Sequence, residues 1–423
     1  MADPGAAFYR RPRDRADPAR ARARIVSPSA GPGDGAARNE APARDAATRD
    51  LAAREGGAGD APGTDDTTWD AFVQAARPAS YLQLAAWARV KRSNGWTATR
   101  VVARAPSGPI GAQILLRRPG PLPWAFGYAP RGPVTATWQP DAIEPFTARV
   151  RDALGAVGRV SHLRIDPEIE LDGPLDTGGA LRAALQAWGW RPAAPIQPAS
   201  TRLIDLTADE PALWSDLRKK WRQYVNRART GGVTVEDAGD EALGTFYEIY
   251  RETARRAGFL IRTEAAYRDI WEAYRPQGLA RLLIARHPDG VPAAALFLVR
   301  CGDRVVEPYG GMTAAGAESR ANYLLKWEAI RSSREAGAAI YDLWGLAHPG
   351  IAHFKAGFGG REVRYIGAWD LVLDRLGRSV YGVAQRGRVW LERRRHGLGR
   401  GAATAPGTGG DGGDGAGNVA GDA

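Results

Sequence analysis

The stretch LARLLIARHPDGVPAAALFLV, residues 279–299, decides the fold of this chain. Its two apolar runs flank His287-Pro-Asp-Gly290, a turn sequence that favours a tight reversal between two strands. A similar arrangement occurs earlier, where residues 99–104 and 110–116 flank Pro106-Ser-Gly-Pro109. Both stretches predict β-hairpins, so the chain is expected to contain two antiparallel units of the same kind.

The segments around the two hairpins follow one order. A helix precedes each hairpin, and a strand, a helix and a second strand follow it. These later elements are predicted at 124–128, 140–158 and 162–166, and again at 304–309, 320–336 and 340–344. A duplicated α+β module with a mixed, mostly antiparallel sheet explains this order. Two unrelated α/β patterns in succession would give it as well. The order matches the GNAT acyltransferase fold that binds acetyl-coenzyme A.

Composition sets the expected domain limits. Residues 1–66 and 397–423 consist mainly of Ala, Gly, Pro, Asp and Arg, which cannot bury enough apolar surface to offset their ordering entropy. We therefore predict two disordered tails. The first module is predicted at 67–198, completed by 366–395, and the second at 199–365.

The formal net charge is +11, and the tails contribute no excess of positive charge. A basic folded region suggests a polyanionic or phosphorylated partner, or an anionic membrane surface, although it can also serve solubility alone. Cys301 is the single cysteine and the five histidines are scattered, which argues against a disulfide or a metal site. No run of 18 apolar residues and no apolar signal core occur, so a cytoplasmic protein is expected.

Three segments carry candidate functional residues. In residues 340–360 a buried strand breaks at glycine, and Lys355 is predicted in an apolar, glycine-rich loop. Such a lysine either binds an anion or lies over Phe354 and Phe358 with its charge in water. Ser80-Tyr-Leu-Gln83 has the form of a capping box and predicts the start of a helix that carries Lys91.

The third segment is a basic helix at 217–229. Its cations either form a solvated helix face or contact a phosphate backbone. The residues proposed for contact with a nucleic acid are Arg218, Lys219 and Arg222.

Several stretches together resemble the FemABX family, the aminoacyl-tRNA-dependent peptidyltransferases that build peptidoglycan cross-bridges. The resemblance covers about residues 70–375. The matching stretches are 84–91 with Gly95 and Trp96, 128–134, 162–167, the basic helix, 258–263, 308–312 and 353–359.

This resemblance implies two GNAT-like modules, a monomer, and transfer of an amino acid to the stem-peptide amine of UDP-MurNAc-pentapeptide or lipid II. Aminoacyl-tRNA would be the co-substrate, with no cofactor and with possible peripheral contact with the membrane. Lys91, Arg262 and Tyr309 match residues of the precursor channel, and Asp166 matches an acidic residue considered as a base. Phe354 and Lys355 match the catalytic pair at the 3′ end of the tRNA, where the lysine would stabilise an oxyanion.

The chain departs from some members of the family. Their coiled-coil insertion has no counterpart here, because the basic helix runs almost directly into Gly231. Two other functions stay open. The first is a coenzyme A-dependent N-acyltransferase of the same fold, although residues 309–317 lack the usual spacing of a pyrophosphate loop. The second is a nonenzymatic protein that binds RNA or a membrane surface.

Overall fold

The computed structural model describes residues 65–346 and 349–384. The predicted tails lie outside this range, except for Asp65 and Asp66, which cap and begin the first helix. The helices are α1 (Asp66–Ala75), α2 (Ala85–Arg92), α3 (Ile143–Val157), α4 (Ala180–Ala187), α5 (Glu210–Asp216), α6 (Lys219–Thr230), α7 (Leu243–Ala257), α8 (Glu264–Tyr274), α9 (Ala314–Ser319), α10 (Ala321–Glu335), α11 (Pro349–Ala356) and α12 (375–384).

The strands form two seven-stranded sheets. They are β1 (Thr97–Ala105), β2 (Gly108–Arg117), β3 (Ala125–Ala129), β4 (Val134–Thr135), β5 (Val160–Ile165), β6 (Trp190–Ala193), β7 (Ser200–Asp205), β8 (Thr234–Ala238), β9 (Ala280–Arg286), β10 (Pro292–Cys301), β11 (Arg304–Met312), β12 (Ile340–Asp342), β13 (Arg361–Arg364) and β14 (Ala368–Val372). Both predicted hairpins are confirmed as β1–β2 and β9–β10.

The two sheets share one plan. The first has the order β1-β2-β3-β5-β14-β6, with β4 beside β2, and the second has the order β13-β7-β12-β11-β10-β9-β8. Each contains a single parallel pair, β3 with β5 and β11 with β12, among antiparallel neighbours. The predicted α+β class with mixed, mostly antiparallel sheets is confirmed.

One strand in each sheet comes from the other half of the chain. β14 follows the second module in sequence and lies between β5 and β6 of the first sheet. β7 precedes the strands of the second sheet and lies between β12 and β13. The two sheets are therefore connected by an exchange of strands, β14 and β7, as well as by side-chain packing.

An aromatic core joins the two halves. Trp69, Tyr81 and Trp87 from the first half pack in one cluster with Tyr267 and Phe297 from the second. Burial of such rings removes a large apolar area from water, so this cluster stabilises the pairing of the modules. In the described residues, no helix is both long and apolar enough to cross a bilayer.

The predicted capping box at Ser80 is wrong. Residues Tyr81–Gln83 form a 3-10 turn, and the Ser80 side chain makes no capping hydrogen bond. The Gln83 side chain bonds instead to the backbone of Gln113 and to the carbonyl of Pro130, both at 2.7 Å. Helix α2 begins later, and the Asp70 carboxylate accepts a hydrogen bond from its first N–H, that of Ala85, at 2.7 Å.

Candidate active site

Strands β11 and β12 separate in the middle of the second sheet. They pair in parallel only from Arg304 opposite Ile340 to Val306 opposite Asp342. β11 then continues to Met312 beside β10, whereas the chain after Asp342 leaves the sheet. The separation opens a wedge at the carboxyl ends of these strands, the place where open α/β sheets bind ligands.

A β-bulge in β11 sets which side chains face the wedge. Phe297 pairs with Tyr309 and Val299 pairs with Val306, so β11 holds one residue more than β10 over this interval. The bulge contains Pro308, which has no N–H to donate to the ladder. It turns the Glu307 side chain toward α10 and the Tyr309 ring toward α7. Pro308 was the sequence signal for this feature.

Phe354 and Lys355 lie on α11, so the prediction of a loop for Lys355 is wrong. Pro349 begins the helix, a position where proline suits helical geometry. The Lys355 side chain is only 2% exposed, and its Nζ donates a hydrogen bond to the carbonyl of Gly345 at 3.0 Å. The ammonium therefore does not reach over Phe354 and Phe358 to water.

Another lysine, Lys326 on α10, lies against those two rings. Its Nζ is 5.5 Å from the ring centre of Phe354 and 5.8 Å from that of Phe358. It also forms a buried ion pair with Glu307, and the Tyr341 hydroxyl donates to the same carboxylate at 2.8 Å. Sequence reasoning missed this pair, although a lysine between apolar positions in the predicted helix 320–336 was a signal.

The basic helix α6 begins beside α11. The Trp221 indole N–H donates to the carbonyl of Phe354 at 3.1 Å, and the backbone N–H of Arg218 donates to that of Gly357 at 2.9 Å. Arg218 and Lys219 are exposed. Arg222 is half-buried, and its guanidinium donates to the carbonyls of Leu217 and Ser215 at 2.6 and 2.7 Å at the end of α5. Arg222 therefore caps the carbonyl end of α5, whether or not it also contacts a ligand.

Lys91, Arg262 and Tyr309 lie around the aromatic core. The Lys91 Nζ is 5.0 Å from the Trp87 ring centre, and the backbone N–H of Arg262 donates to the Tyr267 hydroxyl at 3.3 Å. The Tyr309 ring is 5.1 Å from that of Tyr267. Burial raises the pKa of Tyr309, and the charge of Arg262 acts in the opposite direction.

The ring of Tyr81 links this group to the segment after β12. It lies 6.2 Å from the Trp87 ring and 6.0 Å from the Trp344 ring. Trp344 directly precedes Gly345, whose carbonyl holds Lys355. The Trp344–Gly345 segment therefore lies between Tyr81, in the aromatic core, and Lys355 on α11.

Asp166 is buried and already holds three donors. Its oxygens accept from the Tyr128 hydroxyl at 2.8 Å and from the backbone N–H groups of Arg131 and Gln197 at 2.6 and 3.3 Å. Burial raises its pKa, while Arg131 acts in the opposite direction. These contacts give Asp166 a role in fixing the loop after β3.

Four further buried charges connect the two halves of the chain, and sequence reasoning missed them. Arg304 donates to Glu168 at 2.8 Å and also pairs with Asp342, while Arg131 lies 3.5 Å from Glu168. Asp342 accepts the backbone N–H of Trp344 at 2.8 Å. This helps to hold Trp344 at its positive φ of 58°. The network therefore shapes the segment that holds Lys355.

At the start of α9, where the alternative function would require a coenzyme A pyrophosphate to bind, two backbone N–H groups already donate to side chains of the protein. Thr313 accepts the N–H of Gly316 at 3.0 Å, and the Glu252 carboxylate accepts the N–H of Ala314 at 2.8 Å. A carboxylate at this position repels an anion. The described residues also contain no group of three His, Cys, Asp or Glu side chains placed to hold a metal ion.

Comparisons with known proteins agree with this architecture. The chain is 24% identical over 382 residues to a lipid II:glycine glycyltransferase of Staphylococcus saprophyticus, covering 73% of this chain and 92% of the relative. It is 23% identical over 383 residues to the enzyme of the same name from Staphylococcus aureus strain USA300, covering 72% and 91%.

Among solved structures, the crystal structure of FemX superposes with a TM-score of 0.68 at 22% sequence identity. The match covers 75% of this chain and 98% of FemX, and it confirms the fold of two GNAT-like modules. The family model described as the FemAB family matches residues 64–288 and 277–386. The chain therefore belongs to the FemAB family.

Proposed function

We propose that this protein transfers an amino acid from aminoacyl-tRNA to the stem-peptide amine of a peptidoglycan precursor, lipid II or UDP-MurNAc-pentapeptide. One observation carries the proposal. The Trp344–Gly345 segment contacts both the aromatic group around Lys91, Arg262 and Tyr309 and the lysine beside Phe354. Two substrates bound at these two groups would bring their reacting ends to one place.

The charges suit the two substrates. Lys91 and Arg262 supply cations for the diphosphate of the precursor, and guanidinium binds phosphate oxygens bidentately. The exposed Arg218 and Lys219 at the start of α6 supply cations for the backbone of the tRNA. Trp221 and Gly357 connect this end of α6 directly to the Phe354 segment.

The reaction requires little from the protein other than holding the two substrates in position. An aminoacyl ester is already activated, so a neutral amine held near its carbonyl can attack without a nucleophilic side chain. A cation near that carbonyl stabilises the charge that develops on its oxygen. The use of aminoacyl-tRNA would place the reaction in the cytoplasm, and a lipid-linked acceptor would bring the protein to the inner face of the membrane.

The relatives named lipid II:glycine glycyltransferase favour this reaction class over acyl transfer from coenzyme A. The carboxylate of Glu252 at the start of α9 is unfavourable for a pyrophosphate and supports the same choice.

The test incubates the full chain with either acceptor, a pool of charged tRNAs and labelled amino acids. Mass spectrometry follows the acceptor. We expect a gain of one amino-acid residue that ribonuclease abolishes, and the gain identifies both the donor and the preferred acceptor. Absence of any gain, together with acylation from acetyl-coenzyme A, would overturn the proposal.

A further inference from the structure

A narrow cleft lies between the end of β11, α10 and α11, and its volume of about 20 Å³ is room for one water-sized group. The glycines at 310 and 311 and Met312 form one wall, Asn322 and Lys326 form a second, and Phe354 forms a third. A Cβ atom at Gly310 would collide with the Leu296 side chain, which also borders the cleft. The wall is therefore built of backbone, which lets a ligand approach closely.

Lys326 is the cation of this cleft. An ammonium has three N–H donors, and the hydrogen bond of Lys326 goes to Glu307. The Glu307 carboxylate and the Tyr341 hydroxyl lie behind the lysine and fix it in place, and Phe354 and Phe358 cover it. Donors remain for a polar atom that enters the cleft.

Asn322 adds a second polar group. Its side-chain oxygen is buried without a hydrogen-bond partner. A buried polar atom of this kind costs free energy unless a ligand or water satisfies it. The amide therefore points to a polar ligand that completes the site.

Lys355 has a different environment. Its ammonium donates to the Gly345 carbonyl on the segment after β12, and it does not border the cleft. Of the two lysines beside Phe354, only Lys326 faces the space that Phe354 lines.

We propose that this cleft receives the carbonyl oxygen of the donor ester, with the Lys326 ammonium donating a hydrogen bond to that oxygen and the Asn322 side-chain oxygen accepting one from an N–H or O–H group of the donor beside it. This rests on the proposed transfer from aminoacyl-tRNA. Lys326 is then a catalytic residue, and Lys355, through its hydrogen bond to the Gly345 carbonyl, is a positioning residue.

The reaction is an aminolysis of the donor ester. The neutral amine of the acceptor attacks the ester carbonyl carbon, a C–N bond forms, and the carbonyl π electrons move to the oxygen that Lys326 holds. The intermediate then collapses, the C–O bond to the ribose breaks, and the amide forms. The proton lost by the amine ends on the ribose oxygen, which leaves as a hydroxyl.

The test compares wild type with Lys326→Arg and with the double variant Lys326→Met/Glu307→Gln. Replacing both members of a buried ion pair by neutral groups leaves no unpaired charge, so the double variant is expected to fold. Its melting temperature is measured beside that of wild type.

Because loss of one oxyanion donor costs about 100- to 1000-fold in kcat, we expect the double variant to lose that factor relative to wild type. KM and the Kd for a tRNA that carries the amino acid through an unreactive amide should stay within about twofold, because the contact is strongest in the transition state. Lys326→Arg should retain part of the rate.

Equal kcat values in wild type and the double variant would overturn the assignment of Lys326 while leaving the proposed function intact. A parallel weakening of amide-tRNA binding would also overturn it, because it would show a ground-state role. If the wild-type protein transfers no amino acid from any charged tRNA, the proposed function fails and the assignment falls with it.

Discussion

The Nζ of Lys355 lies 3.0 Å from the carbonyl oxygen of Gly345, ten residues earlier in the chain. This hydrogen bond ties α11 to the segment that leaves the sheet after β12. The same segment carries Trp344, which contacts Tyr81 and lies under the guanidinium of Arg131. A single lysine thus connects the helix at the predicted donor end with the interface of the two modules.

Replacing Lys355 by Met should reduce transfer about 100-fold, because a small displacement of a segment that positions the substrates costs about that factor. The change leaves the Gly345 carbonyl without this donor, which also costs about 1–3 kcal/mol of unfolding free energy. Single-turnover transfer and urea unfolding check the two effects separately. Arg364→Met, which removes an exposed cation from β13, is the control. A Lys355→Met variant that transfers at the wild-type rate would remove Lys355 from the mechanism.

Replacing Arg262 by Lys should raise KM for the precursor about tenfold and leave kcat nearly unchanged. Lysine keeps the charge but loses the bidentate contact with a diphosphate. Arg268→Lys is a matched control, because Arg268 lies close by in the sequence and pairs at the surface with Glu264 at 2.6 Å. Steady-state kinetics with varied precursor gives the measurement. A rise in KM for the tRNA instead would assign Arg262 to the other substrate.

Lys219→Ala and Arg222→Ala should behave differently although both residues lie on α6. Loss of the exposed Lys219 should weaken tRNA binding and reduce the slope of log K against log salt by about 1. Loss of Arg222 removes hydrogen bonds to the Leu217 and Ser215 carbonyls and should cost about 1–3 kcal/mol of unfolding free energy. Filter binding at several salt concentrations and urea unfolding distinguish them. Identical salt slopes for wild type and Lys219→Ala would exclude that contact.

His162 should make the protein less stable in acid. Its side chain is buried on β5 beside the Ser161 hydroxyl, and burial lowers its pKa from 6.5 to about 3. The unfolded chain therefore binds a proton below pH 6.5 that the folded protein does not bind until about pH 3. Stability from this group is complete above pH 6.5 and is lost as the pH falls toward 3.

The check is urea unfolding of wild type and His162→Gln at several pH values between 7 and 4. The wild-type free energy of unfolding should fall more steeply, by up to about 1.4 kcal/mol per pH unit from this one group. Parallel curves would show that His162 titrates alike in the two states.

Most of the helices and strands could be predicted from the sequence pattern, because their formation depends on residues that lie close together in the chain. The turn at His287–Gly290 and the apolar runs beside it specify a hairpin without reference to the rest of the chain. The segment with Lys355 was predicted wrongly, because glycines on both sides suggested a loop. Residues Pro349–Ala356 form a helix there, with Pro349 at its start and Ile351 buried below it.

The site could be predicted only in part. Family resemblance pointed to Phe354, Lys91 and Arg262, and their roles stay predictions. The pairs Arg304–Glu168 and Lys326–Glu307 were missed, since nothing in a single sequence shows that charges separated by 136 or 19 residues are buried together. A charged residue in an apolar run resembles a surface position until its partner is known.

The strand exchange also has a consequence for synthesis of the chain. As the protein leaves the ribosome, β5 and β6 appear early, but the strand that fills the gap between them ends only at Val372. The facing edges of β5 and β6 therefore stay unpaired until the whole second module has been synthesised. A cut between the modules would leave one fragment without β14 and would give β7 no partner if it stayed with the wrong half. Evolution could therefore not separate the two halves and reuse them independently.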